Sequence, residues 1–174
     1  LWNRTLTWSS LEGVLLDTVK STSMVFLILI GALVFGPFLA LSGLPMRAAE
    51  FLTGLDVSTL TILLVILSGY LVLGMFLEGF SMLVLTLPIV IPVMKALGVD
   101  LIWFGVVVVI VLEMGLISPP VGINVFVVKG LVPDITLGQV FKGIVPFWLA
   151  MVVAVALLIA FPQIALIIPD TMMR

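Results

Sequence analysis

Long runs without a charged side chain dominate the sequence. The clearest are Ser21–Met46, Val57–Leu77 and the run from Ile144 up to Asp170. A helix needs about 20 apolar residues to cross the hydrocarbon layer, and inside that layer every backbone polar group must bond within the protein. The runs therefore predict an all-α integral membrane protein. Composition agrees, since 63% of the residues are hydrophobic and 9% are charged, against roughly 45–50% and 25% in soluble domains.

The residue types that the chain lacks exclude several classes of function. The chain has no cysteine and no histidine, which excludes disulfides, thiolate chemistry, imidazole metal sites and histidine-based proton relays. A net charge of −2 provides no basic patch for nucleic acid. No Gly-rich phosphate loop follows a strand, so ATP-driven transport has no support in these residues. We therefore expect neither an enzyme nor an organic cofactor.

The order of apolar and polar segments predicts a single membrane domain, which we interpret as a piece of a longer protein because the first residue is Leu1. Four tryptophans near the predicted boundaries are interpreted as anchors at the membrane surface: Trp2, Trp8, Trp103 and Trp148. The predicted segments are an amphipathic surface helix at 1–20, a transmembrane helix at 21–42, a connector with a short helix at 43–56, a helical hairpin at 57–97, a broken transmembrane helix at 101–130, a surface segment at 131–143 and a transmembrane helix at 144–168.

The segment ISPPVGIN, residues 117–124, interrupts one of the apolar runs. Pro119 and Pro120 lack an N–H, Gly122 permits a positive φ, and Asn124 offers an amide donor and acceptor. Together with Ser118 they predict a short unwound loop with free carbonyls, followed by the N-terminus of a half-helix. Secondary transporters use such breaks to hold a coupling cation and to face an anionic substrate. The alternative is a proline kink without function.

The hairpin at 57–97 turns at Glu78-Gly79. It is either re-entrant, with its tip inside the protein, or two full spans joined at the surface, and the sequence leaves both open. In the re-entrant case Glu78 is an ionisable group at depth, and Gly79 and Ser81 add oxygen ligands for a hard cation. In the other case Glu78 is an ordinary turn residue. Glu113 is a second candidate, either tuning the field at the break, relaying a proton or pairing with the hairpin, or else a neutral hydrogen-bonded structural residue.

Two longer motifs resemble a known family. LGMFLEGFSMLVLTLPIVIPV, at 73–93, and LEMGLISPPVGINVFVVKG, at 112–130, resemble the C-terminal half of the large permease subunit of tripartite ATP-independent periplasmic (TRAP) transporters, as do LTW at 6–8 and VPFWLA at 145–150. The resemblance implies the second of two inverted repeats, each with a helix, a re-entrant hairpin and a broken helix. The first repeat has no counterpart in the chain.

The resemblance also implies a function. It predicts a sodium-driven importer of organic acids such as dicarboxylates, keto acids or sialic acid in the bacterial inner membrane. The expected partners are a periplasmic binding protein, a small membrane subunit and the N-terminal half of the permease. Carried over by position, the hairpin tip Glu78–Ser81 and the break Ser118–Asn124 line the sodium and substrate sites. The sodium ligands implied are mainly backbone carbonyls, at Gly79, Ser118, Pro119 and Gly122.

Two other functions remain open at this stage. One is a membrane structural or assembly subunit, in which the broken helix only packs against a partner. The other is an intramembrane enzyme that uses Glu78 and Glu113 as a carboxylate pair. Stabilisation by sodium separates the transporter from the structural subunit, because a ligand that binds only the folded state raises its apparent stability.

Overall fold

The computed structural model describes residues 7–131 and 134–172. The expectations for Trp2 and the first residues of the surface helix, and for residues 132–133 of the predicted surface segment, lie outside these residues. Within them every regular element is an α-helix, in the order α1 Trp8–Ser42, α2 Leu44–Thr53, α3 Thr59–Gly74, α4 Gly79–Ala96, α5 Leu101–Leu116, α6 Ile123–Leu131, α7 Leu137–Ala160 and α8 Gln163–Met172.

Three of the described helices are long and apolar enough to cross a membrane. They are α1 over Trp8–Leu39, α4 over Gly79–Ala96 and α7 over Leu137–Ala160. The helices α3 and α5 are equally apolar but have 16 residues each, fewer than the roughly 20 that a full span needs. Large apolar side chains are exposed along α1 and α7, as expected for helices that face lipid. The prediction of an all-helical integral membrane protein is thus confirmed.

The first helix differs from the sequence prediction. A surface helix at 1–20 and a transmembrane helix at 21–42 were expected, whereas α1 runs without interruption from Trp8 to Ser42. Neither proline nor glycine lies near the predicted boundary, and Lys20 pairs with Asp17 one turn earlier, with 3.9 Å between nitrogen and oxygen. Pro37 lies inside the helix. The helix ends at Ser42, as predicted, and is followed by Gly43, whose φ of 68° is left-handed and favours glycine.

The last predicted span is also displaced. Instead of one helix at 144–168 there are two, α7 and α8. The first begins at Leu137 because Thr136 and Gln139 form a capping box, which satisfies backbone donors at both positions. It ends at Ala160 because Phe161 precedes Pro162 and takes a non-helical φ of −131°. The short helix α8 then packs against α5.

Helix α5 lies at the centre of the fold. It packs most extensively against α3 and also contacts α4, α6, α7 and α8, and its side chains Phe104, Val107 and Val108 are almost fully buried. The helices α3 and α4 form a hairpin joined by residues 75–78. Near the turn the hydroxyls of Tyr70 and Thr86 lie 2.7 Å apart and connect the two arms. The turn lies beside the C-terminal end of α5, where Gly74 approaches Gly115.

Candidate functional site

The break between α5 and α6 spans residues 117–122. Pro120 has no N–H to bond the carbonyl of Leu116, so the helical ladder cannot continue. Gly122 is buried and has a φ of +60°, and a Cβ added there would lie 3.0 Å from the carbonyl oxygen of Ser118. The peptide bond between Pro119 and Pro120 is cis. The backbone is therefore unwound and tightly folded at this point, with room for glycine only at position 122.

Ser118 connects the break to α7. It is 2% exposed and is the one buried polar side chain among the described residues. Its hydroxyl donates to the carbonyl of Met114 at 2.6 Å and accepts from the indole Nε1 of Trp148 at 2.9 Å. The hydroxyl proton and one of its two lone pairs are thus already engaged, so the backbone carbonyl oxygen is the more available group of Ser118 for a ligand.

The hairpin turn packs against the last turns of α5, just before the break. A Cβ added at Gly115 would lie 2.8 Å from the Cα of Gly74, so the two helix backbones nearly touch. A Cβ added at Gly79, the first residue of α4, would lie closer still to the side chain of Leu112. Met75 in the turn lines the same cavity as Ser118. The structure thus brings this edge of the hairpin tip and the start of the break together.

Glu78 caps the N-terminus of α4. Its carboxylate oxygens accept from the backbone N–H of Phe80 at 3.0 Å and of Ser81 at 2.8 Å, and from the hydroxyl of Ser81 at 2.7 Å. A carboxylate at this position also interacts favourably with the helix dipole. Ser81 lines a different cavity, between α1 and α4, with Ala32 and Phe35. Glu78 and Ser81 are therefore bonded to each other at the start of α4, and Ser81 faces the cavity beside α1.

We expect Glu78→Ala to lower the free energy of unfolding by about 0.5–2 kcal/mol, the usual effect of losing an N-cap. Glu78→Ser is the matched variant, because serine caps α4 without a charge. Chemical unfolding in detergent compares the free energy of unfolding of the wild type, Glu78→Ala and Glu78→Ser. An equal loss in both variants would mean that the carboxylate does more than cap the helix.

The remaining predicted residues are exposed. Pro119, Pro120 and Asn124 lie on the surface of the break and of α6, and the Asn124 side chain makes no hydrogen bond within the described part of the chain. Glu113 lies on an exposed stripe of α5 that includes Ile102, Val106 and Val109. This stripe is the one face of the central helix that the described residues leave uncovered. Glu113 and the hairpin carboxylate are thus placed on different elements with no contact between them.

Sequence reasoning missed the role of two tryptophans. Trp148 was interpreted as a surface anchor because the last span was expected to begin at residue 144, but α7 begins seven residues earlier, at Leu137. Trp148 therefore lies inside the helix and bonds Ser118. Trp103 is 6% exposed and donates to the carbonyl of Leu158 at 2.7 Å, so it is also an interior residue. Among the three tryptophans in the described residues, only Trp8, which is 82% exposed, retains the expected surface position.

We expect Ser118→Ala to lower the free energy of unfolding by about 1–3 kcal/mol, because it leaves the half-buried Trp148 N–H without its partner. Ser68→Ala is the matched control. Ser68 makes the same bond to a carbonyl four residues earlier, at 2.7 Å, but on an exposed surface. Thermal unfolding measures both. If the stability losses of Ser118→Ala and Trp148→Phe simply add in the double variant, the hydrogen bond between the two side chains does not contribute to stability.

Taken together, the fold and the break define a class: a multi-pass helical membrane protein in which an interrupted helix packs against a helical hairpin. Residues 1–164 match the family described as the tripartite ATP-independent periplasmic transporter, DctM component. The chain belongs to this family of TRAP large permease subunits and corresponds to the C-terminal part of the permease. The resemblance noted in the sequence is thereby confirmed.

Similar permeases are named for several substrates. The chain is 34% identical over 166 residues to the sialic acid TRAP transporter large permease protein SiaM of Vibrio cholerae, covering 95% of this chain and 39% of that protein. It is 31% identical over 167 residues to the C4-dicarboxylate permease DctM of Pseudomonas aeruginosa, covering 96% and 39%. It is 30% identical over 159 residues to the isethionate permease DctMQ of Oleidesulfovibrio alaskensis, covering 91% and 25%. The chain thus spans about two fifths or less of these relatives.

Proposed function

We propose that this chain forms one wall of the transport site in a sodium-coupled importer of organic acids. The importer lies in the bacterial inner membrane and receives its substrate from a periplasmic binding protein. The observation that carries the proposal is the contact between the hairpin turn and the end of α5, where Gly74 and Gly115 bring two backbones together beside the unwound residues 117–122. Membership of the TRAP large permease family supports the same function.

The break supplies the chemistry that a sodium ion needs. Sodium is a hard cation that prefers oxygen ligands, and broken helices in secondary transporters provide them from backbone carbonyls. The carbonyls of Ser118, Pro119 and Gly122 in the break, with that of Gly79 in the hairpin, form the proposed ligand set. A cluster of three acidic, histidine or cysteine side chains does not occur in the described part of the chain, which is consistent with a site built mainly from the backbone.

The substrate class follows from the half-helix after the break. Helix α6 begins at Ile123, and its positive N-terminal end favours an anionic group nearby. The relatives are named for sialic acid, C4-dicarboxylates and isethionate, which are all small organic anions. We propose that Asn124, exposed in the first turn of α6, donates to the substrate. The substrate of this chain belongs to the same class.

The other wall of the site comes from residues outside this chain. Alternating access in repeat-built transporters moves one unit against another around a site at their interface. We propose that the first repeat of the permease covers the exposed stripe of α5 defined by Ile102, Val106, Val109 and Glu113. A carboxylate on such a face gains a polar partner there, because an unpaired charge within the membrane is costly. The small membrane subunit completes the assembly.

Reconstitution in liposomes tests the proposed function. The permease containing this chain, its small subunit and its binding protein are supplied with a radiolabelled organic acid and an inward sodium gradient. We expect accumulation that stops when potassium replaces sodium or when the binding protein is omitted. Uptake that is independent of sodium would overturn the proposed coupling. The absence of uptake with every substrate of the class would favour a structural subunit.

A further inference from the structure

We propose that the cavity between the break, the hairpin turn and α7 binds one anionic phospholipid. The cavity has a volume of about 450 Å³ and is lined by residues of all three elements, among them Met75, Pro119, Lys142, Val145 and Trp148. Sites for small molecules usually measure about 300–1,000 Å³. The space is therefore large enough for part of a lipid, and it does not depend on the proposed transport function.

The walls of the cavity fit an acyl chain and do not fit a small organic anion. They are aliphatic and aromatic except at Ser118 and Lys142. The Ser118 hydroxyl already donates to Met114 and accepts from Trp148. A polar solute would lose its hydration here with little to replace it. An acyl chain, in contrast, has no polar groups to satisfy, and the surrounding bilayer supplies it.

Lys142 adds the charge that selects the headgroup. It lies in the second turn of α7, is exposed, and makes no ion pair with any described acidic residue. Trp148 lies six residues further along the same helix, which is a rise of about 9 Å. Lysine side chains near helix ends extend toward the membrane surface while their methylene stems cover apolar surface. The cavity therefore has a cation at its mouth and apolar walls at depth, the order of groups in a phospholipid.

Trp148 makes the proposal measurable, because brominated acyl chains quench tryptophan fluorescence on contact. The permease containing this chain is reconstituted in phosphatidylcholine vesicles with a minor fraction of brominated lipid, either phosphatidylglycerol or phosphatidylcholine. The signal of Trp148 is the difference between the wild type and Trp148→Phe. We expect phosphatidylglycerol to quench Trp148 at a roughly fivefold lower fraction, the effect of one lysine at an anionic lipid.

Two pairs of variants control the experiment. Lys142→Gln should remove the preference for phosphatidylglycerol, whereas Lys95→Gln, at an exposed lysine in the last turn of α4, should retain it. Val145→Phe should fill the cavity and reduce quenching by both lipids. Leu149→Phe, one turn further on an exposed position outside the cavity lining, should leave quenching unchanged.

A second measurement guards against misfolding of Trp148→Phe. Phosphatidylglycerol should raise the unfolding temperature of the wild type above that in phosphatidylcholine, and Lys142→Gln should remove this difference. Equal quenching by the two lipids, or a preference that survives Lys142→Gln, would overturn the proposal. So would the absence of quenching by either lipid, which would mean that another part of the permease fills the cavity. A brominated fatty acid is added as a third probe. If it quenches Trp148 and neither phospholipid does, the site belongs to free fatty acids and the proposal is wrong.

Discussion

Gly115→Ala should separate the hairpin from the broken helix and abolish transport. A methyl group at this position would lie 2.8 Å from the Cα of Gly74 and 2.8 Å from the carbonyl oxygen of Leu71. Both are backbone atoms of α3, so no side chain can rotate away and the two helices must move apart. Overpacking of this kind costs about 1–3 kcal/mol. Uptake in liposomes and thermal unfolding in detergent measure the two effects.

Gly105→Ala is the matched control for that substitution. Gly105 lies on the same helix, but a Cβ added there meets no atom within 4 Å. Alanine favours a helix over glycine by about 1 kcal/mol, so this variant should be as stable as the wild type or more stable. Gly74→Ala should repeat the Gly115 effect more weakly, because its Cβ would lie 3.2 Å from the Cα of Gly115. Full transport by Gly115→Ala would show that the close approach is dispensable.

Gly122→Val should abolish transport while the protein still inserts in the membrane. Gly122 has a φ of +60°, and its Cβ would lie 3.0 Å from the Ser118 carbonyl oxygen and 3.3 Å from the buried Val125 side chain. A β-branched residue is strained at positive φ, and the added bulk displaces a carbonyl that we assign to the ion site. Uptake should fall to background at equal amounts of protein in the membrane.

Gly98→Val separates backbone strain from displacement of the break. Gly98 has a similar φ of +70°, but nothing lies within 4 Å of its Cβ position. It follows the C-terminus of α4, away from the break. Both variants carry the strain of a left-handed valine, but only the valine at position 122 contacts the break. We therefore expect only Gly122→Val to lose transport. Equal loss of transport in both would attribute the effect to general destabilisation.

The features that local chemistry determines were accessible from the sequence. Membrane-spanning helices follow from the apolar runs, and the family follows from the two long motifs. The break is another local feature, because Pro119, Pro120 and Gly122 act on their own backbone, and the structure has its non-helical residues at 117–122. The capping role of Glu78 is local as well, but it was not anticipated because glutamate is not among the preferred N-cap residues.

The long-range contacts were not accessible. Gly74 and Gly115 lie on different helices, and neither belongs to a repeated small-residue motif on its own helix, so only the packing of α3 on α5 reveals the pair. The bond from Trp148 to Ser118 joins residues that are 30 positions apart. It depends on where α7 begins, which the capping box at Thr136 decides. Tertiary packing sets which residues of distant helices lie side by side, and this cannot be inferred from the local pattern of a single sequence.

Binding of sodium by the break is the central claim, and thermal unfolding in the presence of different cations tests it most directly. A ligand that binds only the folded state raises the apparent stability in proportion to the logarithm of its concentration. Sodium should therefore raise the unfolding temperature of the reconstituted permease and of Gly98→Val, whereas potassium at the same ionic strength should not. Gly122→Val should unfold at the same temperature in both cations. An equal rise with sodium in Gly122→Val and the wild type would contradict the assignment of the ion site to residues 117–122.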